Sequence, residues 1–329
     1  MILAGDIGGT NARIALFEVE KRRLKCIYEH VYPTHEHPNL ESAVATFIGE
    51  YRVKPEAACF GIAGPVSGGR RAQMPNLRWV VEADNLEREI GIESVTLVND
   101  LEANAYGVSA LEASDFSSLN EGRADASGNQ GVIAAGTGLG EAGLYWDGKT
   151  HRPFACEGGH VDFGPGDELQ TELLVYLRHE FGHVSWERVI AGPGLINVYR
   201  FLRDTHRGEE PAWLKVELAH DDPSVHIARL GLENKSELCV RALDVFVSMY
   251  GAEAGNLALK LMATGGIFIG GGIAPKILRK LQGGAFIAAF VRKGRSEHLL
   301  RQIPVRVILN DKSALLGAAR AAAMRASLL

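Results

Sequence analysis

"MILAGDIGGTNARIALFE" (residues 1–18) and "GVIAAGTGLGEAGLYWDG" (131–148) have one form in common: an apolar run, a glycine-rich turn, then a second strand-like run. A Walker loop needs GxxxxGK followed by Ser or Thr at the opening of a helix, and a dinucleotide fingerprint needs GxGxxG in the same place. Neither motif is complete here, and both turns lead into a strand pattern. Each segment therefore reads as a glycine hairpin. A duplicated β-hairpin able to grip something small from both sides is the simplest reading of the pair.

The surrounding chain alternates strand and helix patterns. After the first hairpin come "CIYEHVY" (26–32), the helically spaced "NLESAVATFIGEYR" (39–52), "AACFGIAG" (57–64), and helical "EADNLEREIG" (82–91). The apolar strand in "VTLVNDLEANA" (95–105) then stops on Asn99-Asp100, and a helix is expected over Leu101–Ala110. Residues 112–130 are polar and Gly/Ser/Asp-rich and read as a connector; 203–235 read as a surface excursion. A long helix is expected over 236–266 with a break near Gly251 or Gly255, feeding the strand "IFIGGGIA" (267–274). The Ala/Leu/Arg tail from Ser313 reads as a helix packed on an earlier layer. Interleaved strands and helices imply an α/β layered fold.

Bulk properties exclude several function classes. The chain has 329 residues, room for two domains of roughly 100–200 residues each, and at 46% apolar content it can build a large core. A formal charge of -5 argues against a nucleic-acid partner, which draws a basic excess. Cys26, Cys59, Cys156 and Cys239 are scattered, fitting neither a disulfide framework nor CxxC metal spacing, and suit a reducing cytosol. The first residues lack a basic n-region and meet Asp6 early, so no signal peptide is expected. No apolar stretch approaches the roughly 18–20 residues of a membrane span, so a cytoplasmic protein without a membrane partner is expected.

The candidate site residues lie at the breaks in this pattern. In "GDIGGTN" (5–11), Asp6 stands at the strand end and Ile7 follows it. Gly8 and Gly9 can form a backbone nest for an anion, and Thr10 and Asn11 add polar side chains. An ordinary hairpin turn is the alternative, which the polar trio makes weaker. "GTGLGE", with Gly136, Thr137 and Gly138, would alone be a turn; paired with the first loop it reads as the opposite jaw of a phosphate clamp. Gly270, Gly271 and Gly272 end a buried strand ahead of Pro275, which stands near a helix start. They suit either tight packing or a flat surface for a nucleoside. Glu157 and His160 in "CEGGHVDFGP", with Glu187 and Arg188 ahead of a Gly-Pro-Gly turn, suggest side chains aimed at a polyhydroxylated ligand, since carboxylates accept charge-assisted bonds from hydroxyls. His30, His35 and His37 read as a solvated, Pro-containing loop rather than metal ligands.

Taken together, "GDIGGTNARIAL", "NDLEANAYG", "GTGLG", "EGGHVDF", "ERVIAGPGLINVYR" and "GGIFIGGGIAP" resemble, in order and nearly end to end, the bacterial ATP-dependent glucokinases. The resemblance implies an actin-like, ribonuclease-H-like fold. Its small α/β domain would be 1–110 plus 312–329 and its large α/β domain 111–311, separated by a central cleft. It also implies that Asp100 takes the proton from the sugar's 6-hydroxyl, while Asn99, Glu157, His160 and Glu187 bind the sugar with it. By the same resemblance Asp6 through Asn11 form the first phosphate loop, with Asp6 near magnesium through water. Gly136–Gly138 match the second phosphate loop and Gly270–Gly272 the adenosine side. ATP and Mg2+ follow as cofactors, glucose as acceptor, entry to glycolysis as the role and a homodimer as the assembly. A related group of sugar kinases and repressors carries a cysteine-rich zinc motif after its EGGH-like segment. Here "VDFGPGDELQTELL" follows without cysteine, and no helix-turn-helix extension is expected ahead of the first strand, which aligns the chain with the zinc-free glucokinases. Alternatives are a kinase of mannose or N-acetylglucosamine, or a non-catalytic sugar sensor.

Overall fold

The computed structural model describes residues 1–21, 23–74 and 77–329. Two compact units account for the chain. The first comprises Met1–Asp115, Arg152–Ala155 and Asn310–Leu329. Its five-stranded sheet runs β3 (Arg23–Pro33), β2 (Asn11–Glu20), β1 (Ile2–Ile7), β4 (Ala57–Ile62) and β8 (Val95–Asn99). The first three strands form an antiparallel meander, and β1, β4 and β8 are parallel. A small sheet of β5 (Val66–Ser67), β6 (Arg71–Gln73) and β7 (Val80–Glu82) is appended. All six residues of β4 are buried, as expected of a parallel strand covered on both faces.

Helices α1 (Leu40–Tyr51) and α2 (Ala83–Ile90) cover one face, where Phe47 and Leu86 meet Leu3, Ile7 and Phe60. Helices α3 (Asp100–Val108) and α12 (Ser313–Arg325) cover the other, and Ala314, Leu315, Ala318 and Ala322 bury Ile2, Ala4, Phe17 and Val98. The tail is thus a core helix, as its composition suggested. It lies so close to α3 that a methyl on Gly317 would overlap the Ala103 carbonyl, and one on Gly107 the Ser313 carbonyl.

The second unit comprises Phe116–His151 and Cys156–Leu309. A six-stranded sheet runs β12 (His151–Cys156), β11 (Leu139–Trp146), β10 (Gln130–Ala135), β13 (Gly266–Gly270), β14 (Val305–Ile308) and β9 (Phe116–Asn120). The order repeats that of the first sheet, with an antiparallel hairpin (β10 and β11) whose first strand pairs in parallel with a buried strand (β13). The hairpin duplication read from the sequence is therefore a duplication of sheet topology. Around this sheet stand α4 (Glu168–Phe181), α5 (Gly192–Asp204), α6 (Ala212–Glu217), α7 (Pro223–Leu232), α8 (Glu237–Leu261), α9 (Leu278–Leu281), α10 (Ala285–Val291) and α11 (Glu297–Arg301).

Three expectations are corrected. The connector at 112–130 contains β9, paired antiparallel with β14, where the Phe116 ring stands 5.5 Å from that of Phe268. The surface excursion at 203–235 contains α6 and α7, which bury Leu214, Ile227 and Leu230 in the core. Helix α8 runs unbroken over 25 residues. Its Gly251 and Gly255 are places of close approach, since a methyl on either would overlap the backbone carbonyl of Phe286 or Phe290. Pro275 lies in a run of turns shortly before α9 begins at Leu278, near a helix start as read.

Candidate active site

In the first unit the site residues share one sheet edge. Ile7, Ile62 and Asn99 are register partners, so the loop after β1 and the helix after β8 leave the same C-terminal edge of the parallel strands. Ligand sites of open α/β sheets form at such edges. Gly8 donates its N–H to the Asn11 carbonyl at 2.9 Å, closing a tight turn, and Gly9, Thr10 and Asn11 are exposed. Ile7 differs from its neighbours, because its side chain is fully buried in the core. Asp6 is largely enclosed, and burial pushes its carboxyl above the ordinary carboxylate range, with Arg13 opposing. Arg13 is held in turn by Asp311 Oδ2 at 3.2 Å.

Asn99 and Asp100 answer why polar side chains sit where a core strand becomes a helix. Asn99 is the N-cap of α3: its Oδ1 accepts from Leu101 N–H at 2.9 Å, and its Nδ2 donates to the Gly64 carbonyl at 3.1 Å. One amide N–H therefore remains for a ligand. Asp100 is the first residue of α3, with Leu101 N–H donating to Oδ1 at 3.0 Å and Asn104 Nδ2 donating to its carbonyl at 3.1 Å. Strand end and first helical turn together give this carboxylate a rigid mount.

The second unit gathers its groups around the second hairpin turn. Gly136 donates to the Gly138 carbonyl at 2.8 Å, and Gly192 donates to the Gly136 carbonyl at 2.9 Å. Glu187 is pinned to this turn, its Oε2 accepting from Leu139 N–H at 2.9 Å. Gly138 is required there, since a methyl would stand 2.6 Å from Oε2. His160 Nδ1 lies 4.0 Å from Glu187 Oε1, and its Nε2 lies 3.9 Å from Glu157 Oε2. All three side chains remain accessible, Glu187 the least at 31%. The sequence separated these residues onto distinct loops; the fold joins them into one acidic, hydroxyl-accepting cluster beside Thr137. Across β10 and β13, Ala134 pairs with Gly270, so Gly271 and Gly272 leave the same edge. Gly271 has φ +80, and a side chain on it would overlap the Ala135 carbonyl; around Gly272 the space is open.

Three supporting residues escaped the sequence reading. Thr34 is buried and holds the first loop through Oγ1 to the Gly9 carbonyl and N–H to the Thr10 carbonyl, both at 2.9 Å. It lies in the segment read as a solvated histidine loop, which is instead the end of β3 and an ordered turn. Tyr250 on α8 is fully buried, and its hydroxyl accepts from Ala135 N–H at 3.2 Å directly behind the second loop. Glu141 on β11 lies beneath Gly158, in the turn between Glu157 and His160. Only Glu141 carried a signal, a charged residue in an otherwise apolar strand.

Comparison with known proteins supplies the family. The Glucokinase family model matches residues 3–325. The chain belongs to the glucokinase family. A glucokinase of Nostoc punctiforme is 40% identical over 338 residues, covering 98% of this chain and 99% of its own. One from Saccharophagus degradans is 36% identical over 322 residues, covering 96% of each chain. The crystal structure of a glucokinase from an Antarctic psychrotroph superposes with a TM-score of 0.85 at 31% identity, covering 98% of both chains. Membership in the glucokinase family makes this chain an enzyme, a kinase of glucose with the actin-like fold. Among the described residues no helix is long and apolar enough to cross a membrane.

Proposed function

We propose that this chain transfers the γ-phosphoryl group of ATP to the 6-hydroxyl of glucose, with Asp100 as general base. The observation that carries the reading is the mount of Asp100, a carboxylate at the same C-terminal edge of the parallel strands that the Gly8–Asn11 turn leaves. Phosphoryl transfer asks a protein mainly for positioning and charge stabilisation. Asp100 orients the attacking hydroxyl and takes its proton. The remaining amide N–H of Asn99 donates to a sugar oxygen, while Glu157, His160 and Glu187 bind the other hydroxyls. Backbone N–H groups of Gly8–Asn11 and Gly136–Gly138 face phosphate oxygens, and Gly270–Gly272 lie against the nucleoside.

Asp6 suits magnesium, a hard cation that favours one or two carboxylates with phosphates and water. Burial disfavours an isolated charge on Asp6, and a bound cation would relieve that cost. Magnesium, held by Asp6 through water, would neutralise charge on the phosphate oxygens. The enzyme works as a cytoplasmic homodimer at the entry to glycolysis; the family resemblance supports the dimer, and four free cysteines support a reducing compartment.

The test is a coupled assay with ATP over glucose, mannose, fructose and N-acetylglucosamine, run on the wild type and Asp100→Asn. Glucose should give the highest kcat/KM. The variant should lose roughly 10²–10⁴-fold in kcat, the usual contribution of a positioned base, while retaining glucose affinity. Near-normal turnover by Asp100→Asn would remove the base; a better hexose would replace the substrate.

A further inference from the structure

Glu141 is 1% exposed, and neither carboxyl oxygen has a hydrogen-bond donor in reach. A charge so placed is untenable unless it is paired or protonated. Its neighbour is a second buried acid, Glu253 on α8, which is 0% exposed. Glu253 is well supplied: Lys260 Nζ donates to Oε1 at 2.8 Å and Asn256 Nδ2 to Oε2 at 2.7 Å. Glu253 thus has a donor on each oxygen and Glu141 has none, so Glu141 bears a proton that it donates to Glu253. Above this pair, Glu141 Oε2 packs against Gly158, where any side chain would overlap it, and a side chain on Gly159 would overlap the Leu139 carbonyl. The two glycines are the span between Glu157 and His160.

We propose that Glu141 is a positioning residue for sugar binding: the proton it shares with Glu253 seats the Gly158–Gly159 span, and loss of that proton unseats Glu157 and His160. The proposal rests on the reading of Glu157 and His160 as sugar-binding residues. Two carboxylates in one buried site cannot both ionise cheaply, and burial followed by Glu253 pushes Glu141 up to about 8. The other groups facing the pair leave this balance in place. Lys260 neutralises one negative charge, not two. Lys293 Nζ is bonded to the Ala252 carbonyl at 2.8 Å and Asn256 Oδ1 at 2.6 Å, and Arg292 follows α10 beside it. Tyr250 and Cys156 are each pushed upward, first by burial, and are neutral where Glu141 titrates; Glu157 adds a negative charge near Cys156.

The experiment measures KM for glucose and for ATP between pH 7 and 9.5 in the wild type, Glu141→Gln and Cys156→Ser. Hydrogen exchange of residues 157–161 in the sugar-free protein is followed in parallel, each pH being compared between variants so that the intrinsic rate cancels. KM for glucose should rise about tenfold per pH unit above about 8 in the wild type and in Cys156→Ser, while KM for ATP stays flat. In Glu141→Gln, whose amide donates the same bond without titrating, the rise should vanish. Exchange protection of the span should fall above pH 8 in the wild type and in Cys156→Ser but not in Glu141→Gln. A flat glucose KM in the wild type, or a rise surviving Glu141→Gln, overturns the proposal. If Glu141→Gln does not fold, calorimetry of glucose binding to the wild type at pH 8.5 decides. Uptake approaching one proton per chain is expected, and none overturns it. A Glu157→Gln variant with unchanged KM for glucose would remove the sugar reading instead, and the exchange arm would still decide whether the pair seats the span.

Discussion

At the scale of single residues, glycines and buried polar atoms set the site. Gly138→Ala places a methyl 2.6 Å from the Glu187 carboxylate and should push it off Leu139 N–H. A lost bond to a charged group is worth roughly 1.5–3 kcal/mol, so KM for glucose should rise about tenfold to a hundredfold in steady-state assays, with a smaller change in KM for ATP. Tyr250→Phe should lower unfolding stability by about 1–3 kcal/mol in urea titrations, because Ala135 N–H is left buried without its acceptor. Glu141 also makes a pH prediction. Its folded value, about 8, exceeds the ordinary 4.5, so the folded state binds the proton more tightly than the unfolded chain. The contribution is fully present below about 4.5 and is lost as pH rises through about 8. Melting curves of the wild type and Glu141→Gln should therefore diverge across that window, the wild type losing more. Such residues were only partly legible. Asp6, Asn99, Asp100 and Glu157 announce themselves as polar groups at strand ends or beside glycines. Thr34 and Tyr250 act from positions distant in sequence, so no local pattern marks them.

At the scale of elements, legibility followed periodicity. The buried strands β1, β4, β8 and β13 are continuous apolar runs, and α1 and α2 carry a helical spacing, so all were readable. Strand β9, "FSSLN", was not, because it is an edge strand with half-buried serines that only its pairing with β14 orders. Helices α6 and α7 were hidden by exposed polar faces around few apolar anchors, Leu214 in one and Ile227 and Leu230 in the other. The glycines of α8 misled because a glycine inside a helix signals either a break or a close neighbour, and only tertiary structure separates the two. Gly251→Ala distinguishes them experimentally. A helix-breaking glycine would give stabilisation on replacement, whereas here the methyl overlaps the Phe286 carbonyl, and a loss of roughly 1–3 kcal/mol is expected in denaturant titration.

At the scale of the molecule, ligand linkage offers a test independent of kinetics. Glucose that binds only the native state should raise Tm, by the equivalent of about 2.7 kcal/mol at a hundredfold excess over Kd. A melting temperature unmoved by saturating glucose would contradict a sugar site altogether. Activity should vanish with chelator and return with magnesium, and elemental analysis should find no stoichiometric zinc. The closure of the first unit by its last helix reaches further, into the order of synthesis. Ile2, Ala4 and Phe17 are made before the second unit, and Ala314, Leu315 and Ala318 that cover them are made after it. At the usual 5–20 residues per second, a ribosome takes about 10–40 s to travel from Asp115 to Ser313. For that interval the nascent sheet has an uncovered apolar face and no means of completing itself. A chain truncated after Leu309 should accordingly show a protease-sensitive N-terminal segment, engaged by chaperones, beside a resistant second unit. Protection of Met1–Asp115 should arrive only once Ser313–Arg325 is present.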